Sequence, residues 1–93
     1  MRYAAGRAEL LAERGYGDEA IRLDLERRGI DREQVEHTLS SLPEEQERAR
    51  GIAAALGDAT RAARALARKG FSPETIEVVA PDTRAELGYE RTI

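Results

Sequence analysis

The stretch that decides the fold is Leu25-Glu26-Arg27-Arg28-Gly29-Ile30-Asp31-Arg32-Glu33-Gln34-Val35. Gly29 suits the left-handed residue that follows a helix C-terminus, and Arg28 before it lies at the negative end of the helix dipole. Asp31 is a favourable N-cap, and Gln34 three residues later completes a capping box. The stretch therefore predicts the end of one helix, a short turn and the start of the next helix.

The same junction occurs three times in the chain. The shared frame is Leu, two residues, a cation, Gly, a large apolar residue, two residues, Glu, one residue, and Ile or Val. The other copies run from Leu11 to Ile21 and from Leu66 to Ile76. In each copy the apolar residue after Gly is followed five positions later by another, which is the spacing of a hydrophobic staple.

Working outward from the junctions, we predict an all-α protein. Apolar residues recur with helical period, and no window alternates with period two. Pro43, Glu44 and Glu45 open the fourth helix, and Gly57-Asp58 ends it and caps the fifth. The predicted helices are 2–14, 18–28, 32–41, 44–56, 58–69 and 73–80. They form two tandem three-helix repeat units, 1–42 and 43–80, followed by a polar C-terminal tail at 81–93.

Composition excludes several classes of function. The 93 residues include no Cys and one His, so neither disulfides nor a Cys-based zinc site is available. There are 18 acidic and 15 basic residues, a balance unlike that of a dedicated DNA-binding domain. The longest apolar run, Ile52 to Leu56, is too short to span a membrane. With no signal-peptide pattern at the start, we expect a cytoplasmic protein without membrane association.

The junctions resemble those of the RecX family of recombinase regulators. The resemblance covers about residues 2–80 and matches the family's second and third three-helix repeats, while its first repeat has no counterpart in this sequence. The matching residues are Arg2-Tyr3-Ala4, Gly15-Tyr16-Gly17, Ile21, Leu25, Gly29-Ile30, Val35, Leu39, Ala49-Arg50, Leu66, Arg68, Gly70-Phe71 and Ile76.

The resemblance implies a regulatory protein that binds the RecA filament along its groove and modulates, usually inhibits, its activity in recombination, DNA repair and the SOS response. It implies no cofactor. Two alternatives remain open from the residues alone. One is a general helical-repeat interaction module with an unrelated protein partner, and the other is weak, direct binding to DNA. The sequence does not specify an oligomeric state.

Two groups of cations are the candidate partner-binding residues. On the fifth predicted helix, Arg61, Arg64 and Arg68 recur at steps of three and four, followed by Lys69, and Ala59 to Gly70 contains no carboxylate. The second helix supplies Arg22, Arg27 and Arg28. Both groups can bind an anionic partner. They can equally be solvated helix faces with internal ion pairs, such as Asp24 with Arg28 at i,i+4.

Catalytic and metal chemistry find little support in the sequence. His37 lies four residues after Glu33, a two-ligand spacing, but a metal site needs three or four protein ligands. We interpret His37 as a surface residue. The pair Glu44-Glu45 favours a helix N-terminus or binds Arg, since nothing places two carboxylates across a cleft. We therefore predict neither an enzyme nor a metal site.

Overall fold

The computed structural model describes residues 2–81, and the predicted tail, apart from Pro81, lies outside this range. Its helices are α1 (Arg2–Glu13), α2 (Asp18–Arg27), α3 (Arg32–Ser40), α4 (Glu45–Leu56), α5 (Ala59–Arg68) and α6 (Pro73–Val79). The predicted all-α class is confirmed, with no strand between residues 2 and 81. The helix bounds differ from the predicted ones by at most one residue at either end, as expected for fraying termini.

The three repeated junctions share one backbone geometry. Gly15, Gly29 and Gly70 have φ of 89°, 85° and 84°, in the left-handed region that favours glycine. After each glycine, the next amide donates to the carbonyl of the frame's leucine, as Phe71 N does to Leu66 O at 3.0 Å. This bond and the one from the glycine amide form a Schellman motif, in which the leucine and the apolar residue after Gly face each other. The recurring Leu therefore has a defined structural role.

The helices pack most extensively within two groups of three. Helices α1, α2 and α3 contact one another, and so do α4, α5 and α6. Each group has its own apolar core, the first around Ile21, Leu25 and Val35, the second around Leu66 and Phe71. This contact pattern is the one that two repeat units would produce. The division at residues 42 and 43, and a repeat relationship between the groups, remain predictions.

The two groups meet at the N-terminus of α2. The N-cap position is Gly17, which has no side chain to accept a hydrogen bond from the helix. The first backbone amides of α2 are instead satisfied by the second group of helices. Gly17 N donates to Lys69 O at 2.8 Å, and Glu19 N donates to Gly70 O at 3.1 Å. Asp18 N donates to a carboxylate oxygen of Glu45 at 2.9 Å.

Candidate interaction surface

Helix α5 presents a row of exposed arginines. The Asp58 carboxylate caps the helix by accepting from Arg61 N at 3.0 Å. Ala62 and Leu66 face the core, which turns Arg61, Arg64 and Arg68 toward solvent. Within the part of the chain that the structure describes, these three guanidinium groups form no ion pair. We call them the α5 arginine row.

Lys69, predicted to belong with this row, has a different environment. Its ammonium lies 4.0 Å from the centre of the Tyr16 ring and donates to Arg14 O at 3.3 Å. A cation over an aromatic face is held there by the ring's quadrupole. Lys69 therefore connects the end of α5 to the end of α1, and a partner would reach it only beside Tyr16.

Arg22 is engaged by two carboxylates. Its Nε donates to Glu36 Oε2 at 2.7 Å, and its terminal nitrogens donate to Glu36 Oε1 at 3.2 Å and to Glu19 Oε2 at 2.8 Å. The hydrogen bond to Glu36 raises the pKa of Arg22, and the same bond lowers the pKa of Glu36. This bridge joins α2 to α3, so the ion-pair interpretation fits Arg22 better than the partner-binding one.

Arg28 is also paired inside the molecule. Its Nε lies 3.0 Å from Asp24 Oδ2, which is the i,i+4 pair expected from the sequence, and it donates to the Tyr3 hydroxyl at 2.7 Å. From α1, Arg7 binds the same Asp24 carboxylate through two hydrogen bonds of 3.0 and 3.1 Å. The hydrogen bond from Arg7 is the largest cause that lowers the pKa of Asp24. The role of Arg7 could not be predicted from the sequence, because nothing local places it beside Asp24.

Arg27 is the one cation of the second helix that stays available. It is exposed, and among residues 2–81 it has no ion-pair partner. Arg27 lines one side of a hollow between α1 and α2, and Arg68 lines a second hollow at the end of α5. The two hollows share Ala20 and Leu23, so the structure brings one arginine from each predicted group toward the same stretch of α2.

Arg48 forms the main polar link between the groups of helices. Its side chain is 10% exposed and donates to Tyr16 O at 3.0 Å, to Pro43 O at 3.1 Å and to the Asp18 carboxylate. Its guanidinium also lies 5.9 Å from the centre of the Phe71 ring. Arg48 is thus committed to holding the N-terminus of α4 against both aromatic junctions, and its role is structural.

Two carboxylates accompany Arg48. Burial raises the pKa of Asp18, and the nearby Glu45 adds to that rise, while Arg48 opposes it. Burial also acts to raise the pKa of Glu45, but hydrogen bonds from Thr75, Asp18 N and Ser72 outweigh it, and the pKa is lowered. Thr75 Oγ1 donates to Glu45 at 2.6 Å and Ser72 Oγ at 3.1 Å. Glu45 therefore does more than favour its own helix N-terminus, because it also caps α2.

The surface offers little for other chemistries. In the range 2–81, no group of three or more His, Asp or Glu side chains is placed to hold a metal ion. Between residues 2 and 81, none of the helices combines the length and the apolar character that a membrane span requires. Comparisons with protein-family models, curated proteins and solved structures found no match to this chain.

Proposed function

We propose that this chain is a RecX-like regulatory module that binds a RecA-type recombinase filament and restrains its activity in recombination and DNA repair. The role is non-enzymatic and uses no cofactor. The proposal follows the resemblance of the helix junctions, and it places the protein in the cytoplasm, where such filaments assemble.

The observation that carries the proposal is the α5 arginine row. A helix of ten residues displays Arg61, Arg64 and Arg68 on one face without any carboxylate of its own. On the second helix, by contrast, Arg22 and Arg28 are each paired with a carboxylate. Three guanidinium groups without an ion pair among residues 2–81 are unfavourable for an isolated domain, because like charges at i,i+3 and i,i+4 repel one another. An anionic partner surface accounts for this arrangement.

A protein surface fits the row better than bare nucleic acid does. The whole chain carries a net charge of −3, which opposes general attraction to phosphate. Arginine forks also bind carboxylates in a bidentate geometry, which adds orientation to affinity. A filament subunit can present such carboxylates in a repeating array.

The test is binding of the purified chain to recombinase filaments assembled on single-stranded DNA. The variant is Arg61→Gln with Arg64→Gln and Arg68→Gln. We expect the triple variant to lose binding while its melting temperature stays close to that of the unaltered chain. A matched triple variant changes exposed arginines elsewhere and carries the same net charge. Its substitutions are Arg14→Gln, Arg32→Gln and Arg50→Gln.

The outcomes separate the proposal from its alternatives. Equal loss in both triple variants would mean that only net charge matters, which contradicts a specific row. Binding to bare DNA that falls log-linearly with salt concentration would favour phosphate recognition. Absence of filament binding by the unaltered chain would remove the proposal and leave a general interaction module.

A further inference from the structure

One large apolar side chain of α2 faces solvent. Leu23 is 48% exposed, whereas Ile21 and Leu25 on the same helix are fully buried. A single exposed leucine is ordinary on a protein surface and indicates nothing alone. What distinguishes Leu23 from other exposed leucines is its position between two surface hollows.

Leu23 stands between two hollows. The first, of about 340 Å³, lies between α2 and the end of α5, where Ala67 and Gly70 line it. The second, of about 310 Å³, lies between α2 and α1, where Leu11 and Tyr16 line it. Ala20 and Leu23 border both hollows, so this face of α2 is a ridge with a groove on each side, mainly apolar toward α5 and about half polar toward α1. We call Ala20, Leu23 and Arg27, at steps of three and four along α2, the Leu23 ridge.

The charges around the ridge are unequal. Arg7 and Arg22 also line the hollows, but Asp24 pairs with the first, and two carboxylates, Glu19 and Glu36, pair with the second. The remaining charges of the lining are Arg27 and Arg68, both exposed, against Glu26. Lys69 lines neither hollow, and its ammonium is held over the Tyr16 ring. Arg27 and Arg68 therefore flank an apolar centre as exposed cations, while the two linings together hold four arginines and three carboxylates.

We propose that the Leu23 ridge binds an acidic amphipathic helix of a partner protein. This inference rests on the proposed function, and it identifies the chemistry of the filament segment that this chain recognises. Leucine-like side chains of the partner helix fill the two grooves beside Leu23, and its carboxylates bind Arg27 on one side and Arg68 on the other. An amphipathic helix laid in an apolar groove is a common mode of peptide recognition.

The side chains around the Leu23 ridge favour an acidic amphipathic helix over nucleic acid and over a second copy of this chain. Nucleic-acid phosphates would meet the exposed apolar side chain of Leu23 at the centre of the patch, where the apolar face of an amphipathic helix can pack. A second copy docked symmetrically would bring the same patch against itself, and the cations at its margin would face each other. An acidic helix avoids both conflicts.

The first experiment uses a synthetic peptide as the probe. An amphipathic helix of Leu and Glu is added to the isotopically labelled chain, and amide chemical shifts are recorded by NMR. We expect shift changes at Ala20, Leu23, Arg27 and Ala67. A Leu and Lys peptide of the same pattern should produce none. Unchanged shifts at these positions with the Glu peptide, or equal changes with both peptides, would overturn the inference.

The second experiment separates this inference from the proposed function. Leu23→Ser is compared with Val78→Ser, because Val78 on α6 is 49% exposed and provides a matched apolar control. Both variants should keep the melting temperature. We expect Leu23→Ser to weaken filament binding about tenfold, ~1.4 kcal/mol, and Val78→Ser to leave it unchanged. Filament binding that persists in Leu23→Ser would overturn the ridge as the contact while leaving the proposed function standing. If the unaltered chain binds no filament, the proposed function fails and the peptide experiment alone decides the inference.

Discussion

Gly17→Ala should destabilise the protein by disrupting the junction between the two groups of helices. Gly17 has φ of −86°, so alanine can adopt its backbone conformation without strain. The obstacle is space, because a Cβ at this position would lie 2.5 Å from Gly70 O and 2.6 Å from the Cα of Phe71. Both neighbours are backbone atoms, which cannot rotate away as a flexible side chain can.

The size of the effect follows from these distances. Relieving the contact to an ordinary separation of about 3.4 Å moves the two backbones apart by about 0.9 Å, and overpacking of this kind costs about 1–3 kcal/mol. The same movement stretches the hydrogen bonds from Gly17 N to Lys69 O and from Glu19 N to Gly70 O, now 2.8 and 3.1 Å, beyond bonding distance. Each contributes about 0.5–1.5 kcal/mol. The total loss is about 2–6 kcal/mol, and for a domain of this size the melting temperature should fall by at least about 8 °C.

The assay is thermal and urea unfolding followed by circular dichroism, with Gly51→Ala as the control. Gly51 lies within α4, and a Cβ there would meet nothing within 4 Å. Alanine at that position should stabilise the protein by about 0.5–1 kcal/mol, because glycine is the poorer helix former. A Gly17→Ala variant with the same melting temperature as the unaltered chain would refute the steric argument and the role of these two hydrogen bonds.

Three further outcomes test other parts of the structure. Gly29→Ala should lower the free energy of unfolding by about 1–2 kcal/mol, because the φ of Gly29 is positive. A Cβ there would meet nothing within 4 Å, so the backbone conformation is the only cause, and an unchanged urea midpoint would contradict the junction geometry. Gly70→Ala should cost more than Gly29→Ala, because its Cβ would also lie 2.5 Å from the Cβ of Ala20, and the reverse order of urea midpoints would count against the packing described. The pKa of Asp24 is lower in the folded protein than its unfolded value near 3.8, so its ion pairs stabilise the fold. This stabilisation is complete above the unfolded pKa and is lost as the pH falls through the lower, folded pKa. Asp24→Asn should therefore reduce the acid-induced loss of stability measured by urea unfolding at a series of pH values, and an identical pH profile would contradict this.

The sequence was sufficient for the helices because its signals are local. The Schellman frame, the N-caps at Asp31 and Ser72, and the i,i+4 pair of Asp24 with Arg28 each act within a few residues of the chain. Asp31 accepts the expected backbone amide, from Gln34, and Ser72 caps α6 with the same spacing by accepting from the amide of Thr75. Such signals predict where helices begin and end, and they do so independently of how the helices pack.

The contacts between the two groups of helices could not be predicted from such local signals. Glu45 is 27 residues from Asp18 in the chain, and Arg48 is 32 residues from Tyr16. In the sequence Glu45 has the properties of an ordinary helix-opening residue, and Arg22 those of a free surface cation. The contact at Gly17 is the one that could have been predicted from the sequence. A helix whose N-cap residue lacks a hydrogen-bonding side chain must satisfy its first backbone amides with groups from elsewhere in the protein.

The junction also determines what a partner would encounter. Arg68 directly precedes Lys69, whose carbonyl accepts from Gly17 N, while Arg27 lies at the far end of the helix that Gly17 begins. The separation of these two arginines is therefore set by backbone hydrogen bonds and by the close approach of Gly17 to Gly70. A surface held in this way pays less conformational entropy when it binds. Because the helix groups are fixed against each other, cations from α2 and α5 can act on one partner helix, and loosening the junction should weaken that binding even though it removes no arginine.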